Sequence, residues 1–357
     1  MRVVFDADIL AYSCGFAVEK SVYDWIDTEG NQGICQLPEE VPDGASFNKI
    51  KEAEPLSHAL ALVKKTVEGV EFAIRERGHT SVSMQLYLTG KGNYREGIAT
   101  IRGYKANRMD MEKPIHYQAI REFMVKRYKA IVVEGYEADD AVTMEACRLG
   151  FDPTQVIIVS ADKDLMTVPG LLYNLQRKMW YEVSEKDALV NFYKQVLTGD
   201  KVDNIVGVYR CGEIRANELI KSYMTEHAMY KACLDEYKVS QRNPKCPYLN
   251  LSPEDALLEN ARLLHMRRYE GEMWLPPLQR TGQDTSGVLP PASPSKVSVS
   301  GTRRTGSVSM SQKQAVSVQD AESLKLNVDL PTNQTSSSVK KRTSKPRVNS
   351  PQPTESV

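Results

Sequence analysis

Apolar residues along the first 280 positions follow two alternating rhythms, short continuous runs and longer stretches of helical spacing. Arg2 to Phe5 is a short apolar strand that leads into Asp6 and Asp8. Leu60, Val63, Val67, Val70 and Ile74 fall at helical spacing within Leu56 to Arg77, and Gly78 stands where that helix would stop. A strand from Val82 to Leu88 follows. The pattern then predicts a helix over His116 to Lys129, a strand over Ala130 to Val133, and a helix that starts at Glu137 and runs to about Leu149. Val156 to Val159 is apolar on consecutive residues, as a strand covered on both faces should be, and it ends in Ser160, Asp162 and Asp164. Strands alternating with helices predict an α/β fold with a mostly parallel central sheet flanked by helices.

The rhythm changes twice. From residue 184 to about 280 it becomes helical: Ser184 and Asp187 form an N-cap with a reciprocal acidic partner, Gly199 stops that helix, Ser252 with Pro253 opens another, and Gly271 is expected to close it. From Thr281 to Val357 the chain turns to Ser, Thr, Pro, Gln and Val, a composition that predicts a disordered tail. Its basic end, Lys340, Lys341, Arg342, Lys345 and Arg347, reads first as a solvated run of charge and second as a brush for nucleic acid. Three regions result: an α/β core over 1–183, a helical part over 184–280 and the tail over 281–357. Within the core, residues 19–54 form an insertion whose segment Tyr23 to Ile34 reads as a hairpin turning at Glu29-Gly30-Asn31.

Composition adds mostly exclusions. No run approaches the roughly 18 apolar residues of a membrane span and the N-terminus is no export signal, so a cytoplasmic protein is expected. The six cysteines are scattered without a CxxC pair, which argues against a zinc site or a disulfide framework. Lys+Arg and Asp+Glu are equal at 46 each, so net charge gives no hint of a partner, and the local distribution has to be read instead.

That distribution is uneven. Three predicted strand ends deliver carboxylates: Asp6 and Asp8 after the first, Glu137, Asp139 and Asp140 after another, and Asp162 and Asp164 after the apolar run. The crevice beyond the carboxyl ends of strands is where ligands bind in open α/β sheets. Acidic residues in a helix's first turn also complement its dipole, and Asp after a strand also makes turns, so each group alone has a plain structural reading. DAD and SADKDL place their carboxylates at period-two spacing, on one side if the segment is extended. Many carboxylates in one crevice repel one another unless cations neutralise them, and oxygen-only ligands suit Mg²⁺ or Mn²⁺. Two such ions about 4 Å apart can drive an in-line phosphoryl displacement. Between the second strand and the next helix, Lys91, Arg95, Arg102, Lys105, Arg108 and Lys113 interleave with Tyr94 and Tyr104, a pattern suited to phosphates and stacked bases.

VVFDADIL, YKANR followed by KP, EGYEADD, VIIVSADKDLMTVP, LTGDKVDNIVG and NARLLHMRRYEGEMWLPP together resemble the 5′ nuclease superfamily of flap endonucleases and 5′→3′ exonucleases, most closely the exonucleases of short-tailed phages. The resemblance covers most of residues 1–275. It implies a PIN-like fold with a helix-three-turn-helix, cleavage of DNA at 5′ ends or flaps, two divalent ions and a monomer. Carried onto this chain, it implies that Asp6, Glu137 and Asp139 hold one metal. Asp140, Asp162, Asp164 and either Asp200 or Asp203 would hold the other, with Asp8 ranked lower. A carboxylate that the family places after the second strand falls here on Gly90, between Thr89 and Lys91 and ahead of the Tyr94-Arg95 pair.

The same resemblance makes residues 89–115 an arch over the site, with Lys105 and Arg108 contacting the scissile phosphate and Tyr94, Arg95, Arg102 and Tyr104 holding DNA. In GDKVDNIVGVYRCGEIRA it assigns Gly207, Arg210 and Gly212 to the duplex. Arg210 stands where glycine is usual, so duplex binding is expected there and a potassium ion is doubtful. Two alternatives remain at this point. DADIL also resembles the nucleophile motif of haloacid dehalogenase-type phosphatases, and Gly90 admits a DNA-binding protein of the same fold with lost or weakened cleavage.

Overall fold

The computed structural model describes residues 1–108 and 111–282. The strands are β1 (Arg2–Asp6), β2 (Glu19–Ile26), β3 (Gln32–Cys35), β4 (Ser46–Ala53), β5 (Ser83–Asn93), β6 (Ile131–Gly135), β7 (Val156–Ser160), β8 (Gly170–Asn174) and β9 (Met179–Val183). The helices are α1 (Asp8–Phe16), α2 (Leu56–Glu76), α3 (Tyr94–Ile98), α4 (Tyr117–Tyr128), α5 (Ala138–Arg148), α6 (Glu185–Thr198), α7 (Glu213–Leu219), α8 (Glu226–Ser240) and α9 (Pro253–Leu264).

Six strands form one sheet in the order β6-β5-β1-β7-β8-β9, and only the β8–β9 pair is antiparallel. The mostly parallel sheet expected from the sequence is thus the observed one. Successive residues of its central strands point to opposite faces, which explains their unbroken apolar runs. Val3, Phe5, Leu86, Leu88, Ile157 and Val159 pack on α1, α2 and α4, and Val4, Tyr87, Val133, Val156 and Ile158 pack on α5. A separate core of Tyr193, Val196, Tyr237, Tyr248, Leu257 and Trp274 holds α6 to α9 together.

Several expectations change. The inserted segment is a three-stranded antiparallel sheet, because β4 pairs with β2 along its whole length. Its turn is held by Asp27, whose Oδ1 accepts from the backbone of Glu29 and Asn31. Gly271 closes no helix: α9 ends at Leu264, and the carbonyls of Leu263 and His265 are taken by the guanidinium of Arg95. Asp6 and Asp8 do not share an extended segment, since Asp6 ends β1 and Asp8 opens α1. Asp164 likewise starts a short 3-10 turn, with its N–H donated to Asp162 Oδ1 at 2.8 Å. The tail expected over 281–357 lies outside the described residues from 283 onward, and no helix among the described residues is long and apolar enough to cross a membrane.

Candidate metal and phosphate site

The carboxyl ends of the parallel strands gather the acids as anticipated, but not all of them are left for a ligand. Asp6 leaves β1 with Oδ2 accepting from the Ser160 hydroxyl at 3.0 Å, and the same Ser160 oxygen accepts the N–H of Asp162. Burial, then Asp8 and Asp162, push the Asp6 carboxyl up to about 7. Burial and the neighbouring Asp162, Asp200 and Asp203 push Asp164 to about 7 as well, although Gln195 donates to it at 2.8 Å. Asp139 is raised well above the ordinary carboxylate range by burial and by Asp140 and Glu137. Among the described residues, Asp6, Asp139 and Asp162 form no ion pair, and Asp164 pairs with Lys163 at 3.6 Å, which sits closer to Asp200. The cations that act on these acids, Arg95 and Lys105 at Asp139 and Lys163 at Asp164, leave the carboxyls of both raised.

The remaining acids are satisfied. Asp8 pairs with Arg121 at 2.7 Å and accepts the N–H of Thr89 at 3.0 Å, so it ties α1 to α4 and β5. Asp200 lies buried, with one oxygen on Lys163 and the other on the N–H groups of Val202 and Asp203, and these bonds hold its carboxyl below the usual range. Asp203 meets Arg108 at 3.0 Å and the Tyr104 hydroxyl at 2.9 Å. Glu137 pairs with Lys105 and Arg95 and accepts from the Tyr104 hydroxyl, and these partners outweigh its burial to lower its carboxyl. Asp140 departs most from expectation. It is fully buried and both oxygens are held by Arg95, at 2.6 and 2.9 Å, so it is no free metal ligand.

The acids neighbour one another electrically in a chain, Asp6 to Asp162 to Asp164 to Asp203 to Glu137 to Asp139. Among the described residues, however, no three His, Cys, Asp or Glu side chains stand close enough together to enclose an ion. Their oxygen-only chemistry and the missing basic partners fit a hard divalent cation that keeps several of its waters, which needs few direct carboxylates.

The phosphate-facing residues sort in the same way. Lys105 and Arg108 stand at the rim, partly exposed, over Glu137 and Asp203. Arg102, Arg210 and Gly212 are exposed. Arg95, Tyr104 and Gly207 are buried, with donors engaged inside the protein: Tyr104 donates to Glu137, and the Gly207 N–H goes to Asn260 Oδ1 at 3.0 Å. Tyr94 is clamped under the guanidinium of Arg267, 3.3 Å from its ring centroid. Arg210 adopts φ 65, so the left-handed turn forms with arginine in the glycine position. Gly90 has no room for a carboxylate: a Cβ there would press on the Val133 carbonyl and lie 2.7 Å from Glu134 Oε1. Instead the Thr89 hydroxyl caps α5 through the N–H of Ala138.

Sequence reasoning missed Ser160, Arg121, Glu259 and Asn260. Glu259 accepts from the backbone of Thr100 and Ile101, each at 2.8 Å, and so fixes the base of the arch. The one signal was a polar pair, Glu259-Asn260, inside the apolar face of α9.

Residues 55–195 match the family described as the 5′-3′ exonuclease, N-terminal resolvase-like domain. A 5′-3′ exonuclease of Buchnera aphidicola subsp. Schizaphis graminum is 26% identical over 212 residues, covering 56% of this chain and 71% of the relative. DNA polymerase I of Rhizobium leguminosarum is 31% identical over 134 residues, which span 34% of this chain and only 13% of that protein. Among solved structures, the T5 5′-exonuclease with bound zinc is similar at 18% identity and TM-score 0.41, over 56% of this chain and 80% of that one.

Proposed function

The segment 55–195 is a 5′-3′ exonuclease N-terminal resolvase-like domain, and from that premise we propose that the protein hydrolyses DNA phosphodiesters from a 5′ end with divalent cations. The alternative of a haloacid dehalogenase-type phosphatase falls with that match. The observation that carries the reading is the group Asp6, Asp139 and Asp164 at the carboxyl edge of one sheet, each buried and each pressed by neighbouring carboxylates that nearby cations do not offset. Asp6, Asp139 and Glu137 would hold one Mg²⁺ or Mn²⁺, and Asp162 and Asp164 with Asp203 a second. Bound there, such ions activate water and stabilise the leaving oxygen of an in-line displacement.

The chain's own part is to bind and orient. Lys105 and Arg108 would exchange Glu137 and Asp203 for the scissile phosphate and neutralise the charge that grows on it. Exposed Arg210 and the backbone at Gly212 would meet the duplex beyond the cut. A monomer working in the cytoplasm on 5′ ends or flaps is the fuller form of this reading. End-labelled duplex, flap and single-stranded DNA, incubated with Mg²⁺ and with EDTA, tests it: Mg²⁺-dependent release of 5′ fragments is expected, and intact DNA under both conditions overturns it.

One observation favours a second reading, a protein that binds DNA without cutting: Gly90 supplies no carboxylate, and among the described residues no three acids close around an ion. Binding in EDTA with no cutting after Mg²⁺ is restored selects it.

A further inference from the structure

Arg95 is 1% exposed, and all of its donors are placed. Nε donates to the Leu263 carbonyl at 2.9 Å. Nη1 donates to Asp140 Oδ2 at 2.6 Å and reaches Glu137 Oε2 at 3.5 Å. Nη2 donates to Asp140 Oδ1 at 2.9 Å and to the His265 carbonyl at 3.0 Å. Asp140 is equally committed, because Oδ1 also accepts the Arg267 N–H at 3.0 Å and Oδ2 the Glu137 N–H at 3.3 Å. The planar fork of arginine matches a carboxylate in two parallel bonds, which lysine cannot reproduce. Three chain segments far apart in sequence, the start of α3, the start of α5 and residues 263–267, therefore meet on one buried ion pair.

The pair lies directly behind the acids that face the crevice. Asp139 Oδ1 accepts the N–H of Asp140 at 2.6 Å, and Glu137 is bonded to the pair through both its backbone and its side chain. We propose that Asp140 and Arg95 are positioning residues and not metal ligands or DNA contacts: they fix residues 137–139 so that Glu137 and Asp139 present their oxygens to a divalent ion. The inference rests on the nuclease reading above. Groups that orient metal ligands from behind typically change metal affinity or activity by about 10- to 100-fold when altered, whereas removal of a ligand removes an ion.

The test is Mn²⁺ binding to the intact, DNA-free protein, followed by calorimetry and by the electron spin resonance of free Mn²⁺. Wild type is compared with Arg95→Lys, Asp140→Asn and Asp139→Asn, and each variant is first checked for folding by circular dichroism. Arg95→Lys and Asp140→Asn are expected to keep the wild-type number of ions and to weaken binding about 10- to 100-fold. Asp139→Asn is expected to lose one ion. Cleavage at saturating Mn²⁺ should recover in Arg95→Lys more than in Asp139→Asn. A folded Asp140→Asn protein that is short of one ion overturns the proposal, as does an Arg95→Lys protein with unchanged affinity. Wild-type protein that binds no Mn²⁺ at all sinks the nuclease reading and this inference with it. Should Arg95→Lys fail to fold, Asp140→Asn alone decides.

Discussion

Asp139 and Asp140 are neighbours in sequence and opposites in circumstance. Asp140 sits in a closed ion pair with Arg95, whereas Asp139, one residue earlier, lies beside Asp140 and Glu137, and Arg95 and Lys105 act on it too weakly to offset them. The same contrast separates two regions of the molecule. Around the arch and the 199–207 turn each aspartate has its base, Asp203 with Arg108 and Asp200 with Lys163. At the ends of β1 and β7, Asp6 and Asp162 form no ion pair with any described residue. Charge neutralised within the chain builds architecture, and charge left unmatched marks where something from outside completes the balance.

Removing an unmatched acid should have the largest effect. Asp139→Ala or Asp162→Ala should lower Mg²⁺-dependent cleavage by at least about 1000-fold, the several kcal/mol an ion supplies, while a gel shift in EDTA changes little. Retained cleavage would place the ions elsewhere. Next in size, Lys105→Ala or Arg108→Ala should slow single-turnover cutting by roughly 10- to 100-fold, in line with loss of one charged contact in the transition state, and weaken duplex binding less. Equal losses in rate and affinity would make them simple anchors. Gly90→Asp should add no ion and should cost stability, about 1–3 kcal/mol for forcing atoms into filled space, measured by urea unfolding.

A milder test uses pH. Asp6 and Asp164 have folded-state values of about 7, above the unfolded carboxylate value, so the folded protein holds more protons between the two. Their contribution to stability is present at low pH and is lost as pH rises through 7. Melting in EDTA should therefore fall between about pH 4 and 7 by this term, and Mg²⁺ should offset the fall. A metal-free melting temperature that rises across that window would contradict the assignment. The smallest effect is expected on deleting residues 283–357, which should leave the melting temperature unchanged.

The sheet was legible because its strands are apolar on consecutive residues, and Ser184, Gly199 and Ser252 announce their helix boundaries. The acids were legible as strand-end groups. Their division into matched and unmatched was not, because the deciding partners are distant: Arg121 is 113 residues from Asp8, and Leu263 is 168 from Arg95. Arg95 and Tyr104 read as DNA contacts because their residue types suit both a groove and a buried polar network, and sequence spacing does not reveal depth. The third strand of the insertion escaped for a similar reason, since Ser46–Ala53 alternates weakly and its exposed Phe47 and Ile50 give no one-sided pattern.

Glu259 and Asn260 occupy consecutive positions on α9, one gripping Thr100 and Ile101, the other Gly207. That single helical turn acts as a yoke between the loop at Thr100 and Ile101 and the turn at Gly207. A load on either loop would pass to the other through the helix backbone, so neither can shift far without straining the bonds that hold its counterpart.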